Sequence, residues 1–68
     1  MDNQELRDNV NKRIEYYRKD GREHLEDAGK ATTSLTRQVE NEIVAKCIGS
    51  IEALNEVLSM IEEDNNGN

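Results

Sequence analysis

Residues 35–61 read LTRQVENEIVAKCIGSIEALNEVLSMI, and this stretch decides the fold. Its apolar side chains recur at intervals of three and four residues, which places them on one stripe of an α-helix. The stripe consists of Leu35, Val39, Ile43, Cys47, Ile51, Leu54, Leu58 and Ile61, with Val57 at its border. Val44 and Ile48 widen the apolar surface in the middle of this helix. Because one neighbouring helix covers only one stripe, the extra width predicts contact with a second partner.

The first half of the chain carries a second helical pattern. Residues that suit a helix interface again follow spacings of three and four, at Leu6, Val10, Ile14, Tyr17, Gly21, His24, Leu25 and Ala28. Although Asp20-Gly21 is a turn signal, the stripe keeps its phase across it, which favours one helix. Gly29 lies where a left-handed residue often ends a helix, and residues 32–34 offer hydroxyl groups that can cap the next one. We therefore predict helices over about residues 3–28 and about residues 33–63.

Two such helices joined by a short linker form an all-α fold, an antiparallel two-helix hairpin. We assign residues 1–64 to a single helical-hairpin domain. Residues 65–68 contain no apolar side chain, so we assign them to a flexible tail.

The chain is too short to bury a large core by itself. It has fourteen Leu, Ile and Val residues, no Trp or Phe, and a single cysteine, Cys47, which excludes an intrachain disulfide. Chains of this size usually add a disulfide, a metal or a partner subunit. We therefore predict that hairpins assemble into a dimeric four-helix bundle or a higher oligomer, with Val44, Ile48 and Ile51 at the subunit interface.

His24 and Cys47 are the chain's only pair that resembles a base and a nucleophile. Both fall on the apolar stripes, where a half-buried imidazole and a small thiol pack well, so we interpret them as packing residues. They are also the only His and Cys, whereas a tetrahedral metal site usually needs several. No phosphate-binding loop or acyl-transfer motif is present. We expect no enzyme activity, no catalytic residue, no metal and no cofactor.

Charge and hydropathy narrow the choice of partners. The formal net charge of −6 argues against binding to duplex DNA, which requires Lys and Arg to neutralise phosphates. No stretch approaches the roughly 20 apolar residues of a membrane span, and the N-terminal residues lack the apolar core of a signal peptide. We expect a cytoplasmic protein with no membrane partner.

One region is an alternative candidate for ligand binding. Tyr16 and Arg18 belong to a basic cluster in the first helix, where an exposed tyrosine beside arginine suits stacking on a base. Lys30, Thr32 and Thr33 stand beside the start of the second helix, where free N–H groups attract phosphate. These five residues form the predicted site for a nucleotide or RNA. The competing interpretation is a capped turn with a solvated lysine and a surface tyrosine that binds nothing.

In layout, the chain resembles the plasmid copy-number Rop bundle, a dimer of helical hairpins with an acidic tail. It is also similar in layout to phage-encoded helical sponges that sequester cyclic-nucleotide signals at hairpin ends through Tyr, Lys and Thr. Neither resemblance includes an alignable motif, so we assign no family.

The first functional hypothesis is a homo-oligomeric regulator or inhibitor of another protein, an accessory protein of the phage or mobile-element type, for example in anti-defence. The alternative is a binder or sponge for a nucleotide or RNA.

Overall fold

The computed structural model describes the backbone of residues 2–66 and the side chains of residues 2–64. Within this range the chain forms two helices, α1 (Asn3–Lys30) and α2 (Ser34–Asn66), joined by residues 31–33. The two helices pack against each other along a rod that measures 54 × 15 × 14 Å. The all-α hairpin fold is thus confirmed.

Helix α1 begins at a side-chain cap and runs without a break. The Asp2 carboxylate accepts a hydrogen bond of 2.7 Å from the Glu5 N–H, which pairs one of the free donors of the first turn. The helix continues through Gly21, as the phase of the apolar stripe predicted.

Helix α1 ends differently from the prediction. Gly29 lies inside the helix, and no residue from 2 to 66 has a positive φ, so its assignment as a left-handed terminator was wrong. The chain leaves the helix at Ala31 instead, where the backbone becomes extended with φ −64° and ψ 135°. The Ala31 N–H still donates to the Ala28 carbonyl at 3.3 Å, so the last turn closes without a left-handed residue.

Helix α2 begins at Ser34 and is capped by Thr33, one of the predicted hydroxyl caps. Its Oγ1 accepts a hydrogen bond of 3.1 Å from the Thr36 N–H and donates to the Thr36 hydroxyl at 2.8 Å. Arg37 Nη2 donates to the Ala31 carbonyl at 3.4 Å and so pairs a linker acceptor. The helix continues to Asn66, so the first two positions of the predicted tail belong to its last turn. Gly67 and Asn68 lie outside the described residues.

The apolar core lies in the half of the hairpin that holds the chain termini. Val10 and Ile14 of α1 pack with Ile61 of α2, and the surrounding half-buried residues are Ile51, Leu54, Val57 and Leu58. This part of the predicted stripe on α2 is therefore confirmed. Near the linker the prediction was wrong, because Leu35 is 72% exposed and Val39 is 46% exposed.

The helices approach closely at Gly21, in the middle of the hairpin. A Cβ atom added to Gly21 would lie 3.3 Å from the Cys47 Cβ, so the lack of a side chain at Gly21 permits this approach. Toward the linker, Glu40 faces α1 instead of Val39, since its carboxylate meets His24. In this half of the interface, polar contacts therefore accompany the buried Ala28.

Candidate functional sites

A cluster of ionisable side chains joins the two helices around His24. Its Nδ1 lies 2.5 Å from Glu40 Oε2 on α2, and its Nε2 lies 3.6 Å from Asp20 Oδ1 on α1. Asp27 adds a third carboxylate, and one donor atom each from His24, Asp27 and Glu40 lies within 4.8 Å of the others. Both His24 and Glu40 are partly buried. We refer to His24, Asp20, Asp27 and Glu40 as the histidine cluster.

The carboxylates favour the protonated form of this histidine. The hydrogen bond to Glu40 raises the pKa of His24 above its usual value of 6.5, and the negative charges of Glu40, Asp20 and Asp27 act in the same direction. Partial burial opposes this shift in pKa but does not outweigh it. The ion pair between protonated His24 and Glu40 therefore links α1 to α2. This link weakens when His24 loses its proton.

The sequence interpretation of His24 as a packing residue missed this cluster because it missed Glu40. A signal for Glu40 was present in the sequence. Glu40 precedes Cys47 by seven residues, and Leu54 and Ile61 follow at the same interval. Residues seven apart lie on the same side of a helix, so Glu40 belongs to the surface that faces α1.

Cys47 is a buried thiol that also contacts the histidine cluster. Its Sγ lies 3.6 Å from Asp20 Oδ2, and burial, followed by the adjacent Asp20 carboxylate, raises the pKa of the thiol. Since the thiolate is the reactive form, this environment lowers nucleophilicity. The geometry agrees with the prediction that Cys47 is a packing residue.

An open apolar groove of about 330 Å³ lies beside Gly21 and Cys47. We call it the central groove. Its α1 wall contains Tyr17 and Leu25, and Arg18 and Arg22 lie along it on the same helix. The α2 wall consists of Val44, Ile48 and Ile51, with Cys47 at the base.

Large aliphatic side chains remain exposed around the central groove. Ile48 is 52% exposed and Leu25 is 58% exposed, while Val44 and Ile51 are half-buried. The structure thus places all three predicted interface residues, Val44, Ile48 and Ile51, in one continuous apolar surface.

The hairpin exposes more surface than a compact chain of its mass. Its accessible surface is 5255 Å², whereas a folded monomer of 7.8 kDa is expected to expose about 4,400 Å². Its Cα radius of gyration is 15.7 Å, against about 11 Å for a compact domain of this length. The difference in surface is about 900 Å² and is close to the roughly 800 Å² that each partner contributes to a standard protein interface.

The five predicted ligand-binding residues do not converge within one hairpin. Tyr16 is 63% exposed and packs edge to face on Tyr17, with ring centroids 5.3 Å apart. Arg18 pairs with Glu15 at 3.4 Å. Lys30 is exposed at the end of α1, about 21 Å from Tyr16 along the helix axis at 1.5 Å per residue.

The other two predicted ligand residues lie in the linker. Thr32 is exposed, and Thr33 uses its hydroxyl to cap α2. The linker thus matches the competing interpretation of a capped turn, and the nucleotide or RNA site stays a prediction.

Neither described helix is long and apolar enough to cross a membrane. No protein-family model, curated protein or solved structure matches the chain.

Proposed function

We propose that this protein is a non-enzymatic interaction module that assembles as a homodimer through the central groove and, in that form, regulates or inhibits another protein. The observation that carries the proposal is the exposed aliphatic surface formed by Leu25, Val44, Ile48 and Ile51. Burying a large aliphatic side chain stabilises by about 1.5–3 kcal/mol, so covering this surface favours association. A second copy is the occupant that supplies a matching apolar surface.

The area and the charge distribution both support a second copy. The surface excess of about 900 Å² is sufficient for one side of a standard interface. Each copy carries a net charge of −6, so like charges have to be kept apart. Arg18 and Arg22 lie along the central groove, where their positive charges can offset the acidic charge of a second copy.

The chemistry of the described side chains supports binding instead of catalysis. The thiol of Cys47 is buried with a raised pKa, and His24 is held between carboxylates on both helices. An acidic rod of this kind is complementary to a basic surface on the regulated protein.

Oligomeric state tests the first part of the proposal. Light scattering coupled to gel filtration should give about twice the chain mass of 7.8 kDa for the wild type. Ile48→Lys places a charge in the central groove and should shift the mass toward the monomer. Leu35→Lys is the matched control, because Leu35 lies on the same helix, is more exposed and is outside the groove.

A second measurement keeps the test decisive if Ile48→Lys fails to fold. The melting temperature of the wild-type dimer should rise with protein concentration, because association stabilises only the folded chain. A wild-type mass near 7.8 kDa with a melting temperature independent of concentration would refute the dimer.

The regulatory part is tested by comparing what wild-type protein and Ile48→Lys retain from a host lysate. Proteins that bind the wild type at low salt, elute at high salt and do not bind Ile48→Lys would support a dimeric regulator. Equal retention by both variants would contradict the dimer as the acting form.

A further inference from the structure

We propose that His24, Asp27 and Glu40 form a binding site for a divalent transition metal ion such as Zn²⁺, which would join α1 to α2. None of the three ligands lines the central groove, so the proposal does not rest on the dimer. It differs from the expectation drawn from the sequence, because that expectation counted only cysteine and histidine as ligands.

The donor atoms are the kinds that bind Zn²⁺. Imidazole nitrogen and carboxylate oxygen coordinate zinc at about 2.0–2.2 Å, and zinc sites with a mixture of the two are common. The three donor atoms lie within 4.8 Å of one another. Ligands of one tetrahedral ion lie about 3.3–3.6 Å apart, as bond lengths of this size require. The exposed Asp27 side chain can make the remaining approach by rotation about its own bonds.

The contact between His24 and Glu40 marks the position for the ion. Nδ1 and Oε2 are 2.5 Å apart, so the two atoms share a single proton. A cation that replaces this proton needs the same two lone pairs. Separating the two atoms to the spacing of zinc ligands takes about 1 Å of movement.

Asp20 occupies the position that usually supports a metal-bound histidine. Histidine ligands commonly turn their second ring nitrogen toward a carboxylate, which fixes the ring and increases its basicity. Asp20 Oδ1 lies 3.6 Å from Nε2, on the opposite side of the ring from Glu40. The two carboxylate ligands, Asp27 and Glu40, carry a charge of −2 that balances a divalent ion.

The test uses untagged protein that has been stripped with a chelator and titrated with ZnCl2 alone. Calorimetry should give one ion per chain, and the melting temperature should rise with zinc, because the ion binds the folded hairpin. Asp27→Asn should weaken zinc binding at least about tenfold while leaving the His24–Glu40 contact intact. Glu26→Gln is the matched control and should bind zinc like the wild type, since Glu26 is an exposed neighbour outside the cluster.

Two further variants separate this site from other sources of zinc binding. His24→Gln should abolish the stoichiometric binding, and circular dichroism reports whether this variant is still helical. Cys47→Ala should retain binding, because the thiol is not one of the three ligands. Absence of zinc binding to the wild type, equal binding by Asp27→Asn, or loss of binding in Cys47→Ala would overturn the proposal.

Discussion

Replacing Gly21 with alanine tests the close approach of the two helices at Gly21 and Cys47. In a helix interior, alanine is favoured over glycine by about 0.8–1.0 kcal/mol, so the substitution would stabilise α1 if no neighbour intervened. At Gly21, however, the new Cβ would lie 3.3 Å from the Cys47 Cβ. Non-bonded carbon atoms prefer about 3.5–4.0 Å, so the helices have to separate by a few tenths of an ångström.

Gly29 gives the matched comparison within the same helix. A Cβ added there meets no atom within 4 Å, and the residue does not have a positive φ. Gly29→Ala should therefore gain most of the helix propensity, about 0.8–1.0 kcal/mol. Overpacking at a close contact typically costs about 1–3 kcal/mol, which should make Gly21→Ala neutral or destabilising by up to about 2 kcal/mol.

Urea unfolding followed by circular dichroism measures both changes, at one protein concentration so that the contribution of the proposed self-association stays constant. With a slope of about 1 kcal/mol per molar urea for a small chain, the two midpoints should differ by about 1 M or more. Gly49→Ala, which also meets no atom within 4 Å, should behave like Gly29→Ala. Equal stabilisation by Gly21→Ala and Gly29→Ala would refute the close packing of Gly21 on Cys47.

Two further predictions concern the polar contacts. With a chelator present, the stability advantage of wild type over His24→Gln should be fully present below about pH 6.5 and should disappear as the pH rises through the folded-state pKa, because that pKa is raised above its usual value. Unfolding midpoints measured across this range decide the sign, and an advantage that grew with pH would contradict it. Cys47 should react with a thiol reagent at least about tenfold more slowly in the folded than in the unfolded chain, because it is buried with a raised pKa. Asp20→Asn should speed the folded-state reaction, and reaction at the unfolded rate in the wild type would refute the burial.

The helices could be predicted because their signals are local. Spacings of three and four identify the buried side of α1 at Val10, Ile14 and Gly21 without knowledge of a partner. The end of α1 could not be predicted in the same way. A glycine permits a left-handed terminator but does not require one, and the extended backbone of Ala31 closes the turn equally well.

Which side of α2 faces α1 near the linker could not be predicted from the sequence, because tertiary contacts determine it. Val39 and Glu40 are neighbours on the helix, and either could continue the stripe that passes through Cys47. Hydropathy favours Val39, but His24 on α1 supplies a partner for the Glu40 carboxylate. A buried polar residue with a partner is acceptable in an interface, whereas sequence spacing alone does not reveal that partner.

The two halves of the hairpin are stabilised in different ways, and chain connectivity explains the division. Contacts near the linker join residues close in sequence, such as His24 and Glu40, and the entropy cost of closing a short loop is small. Contacts between Val10 and Ile61 close a longer loop, at an added entropy cost of about 1 kcal/mol, which the apolar cluster at this end offsets. The linker and the contact between His24 and Glu40 hold the other half together, while Leu25 and Ile48 beside the central groove stay exposed.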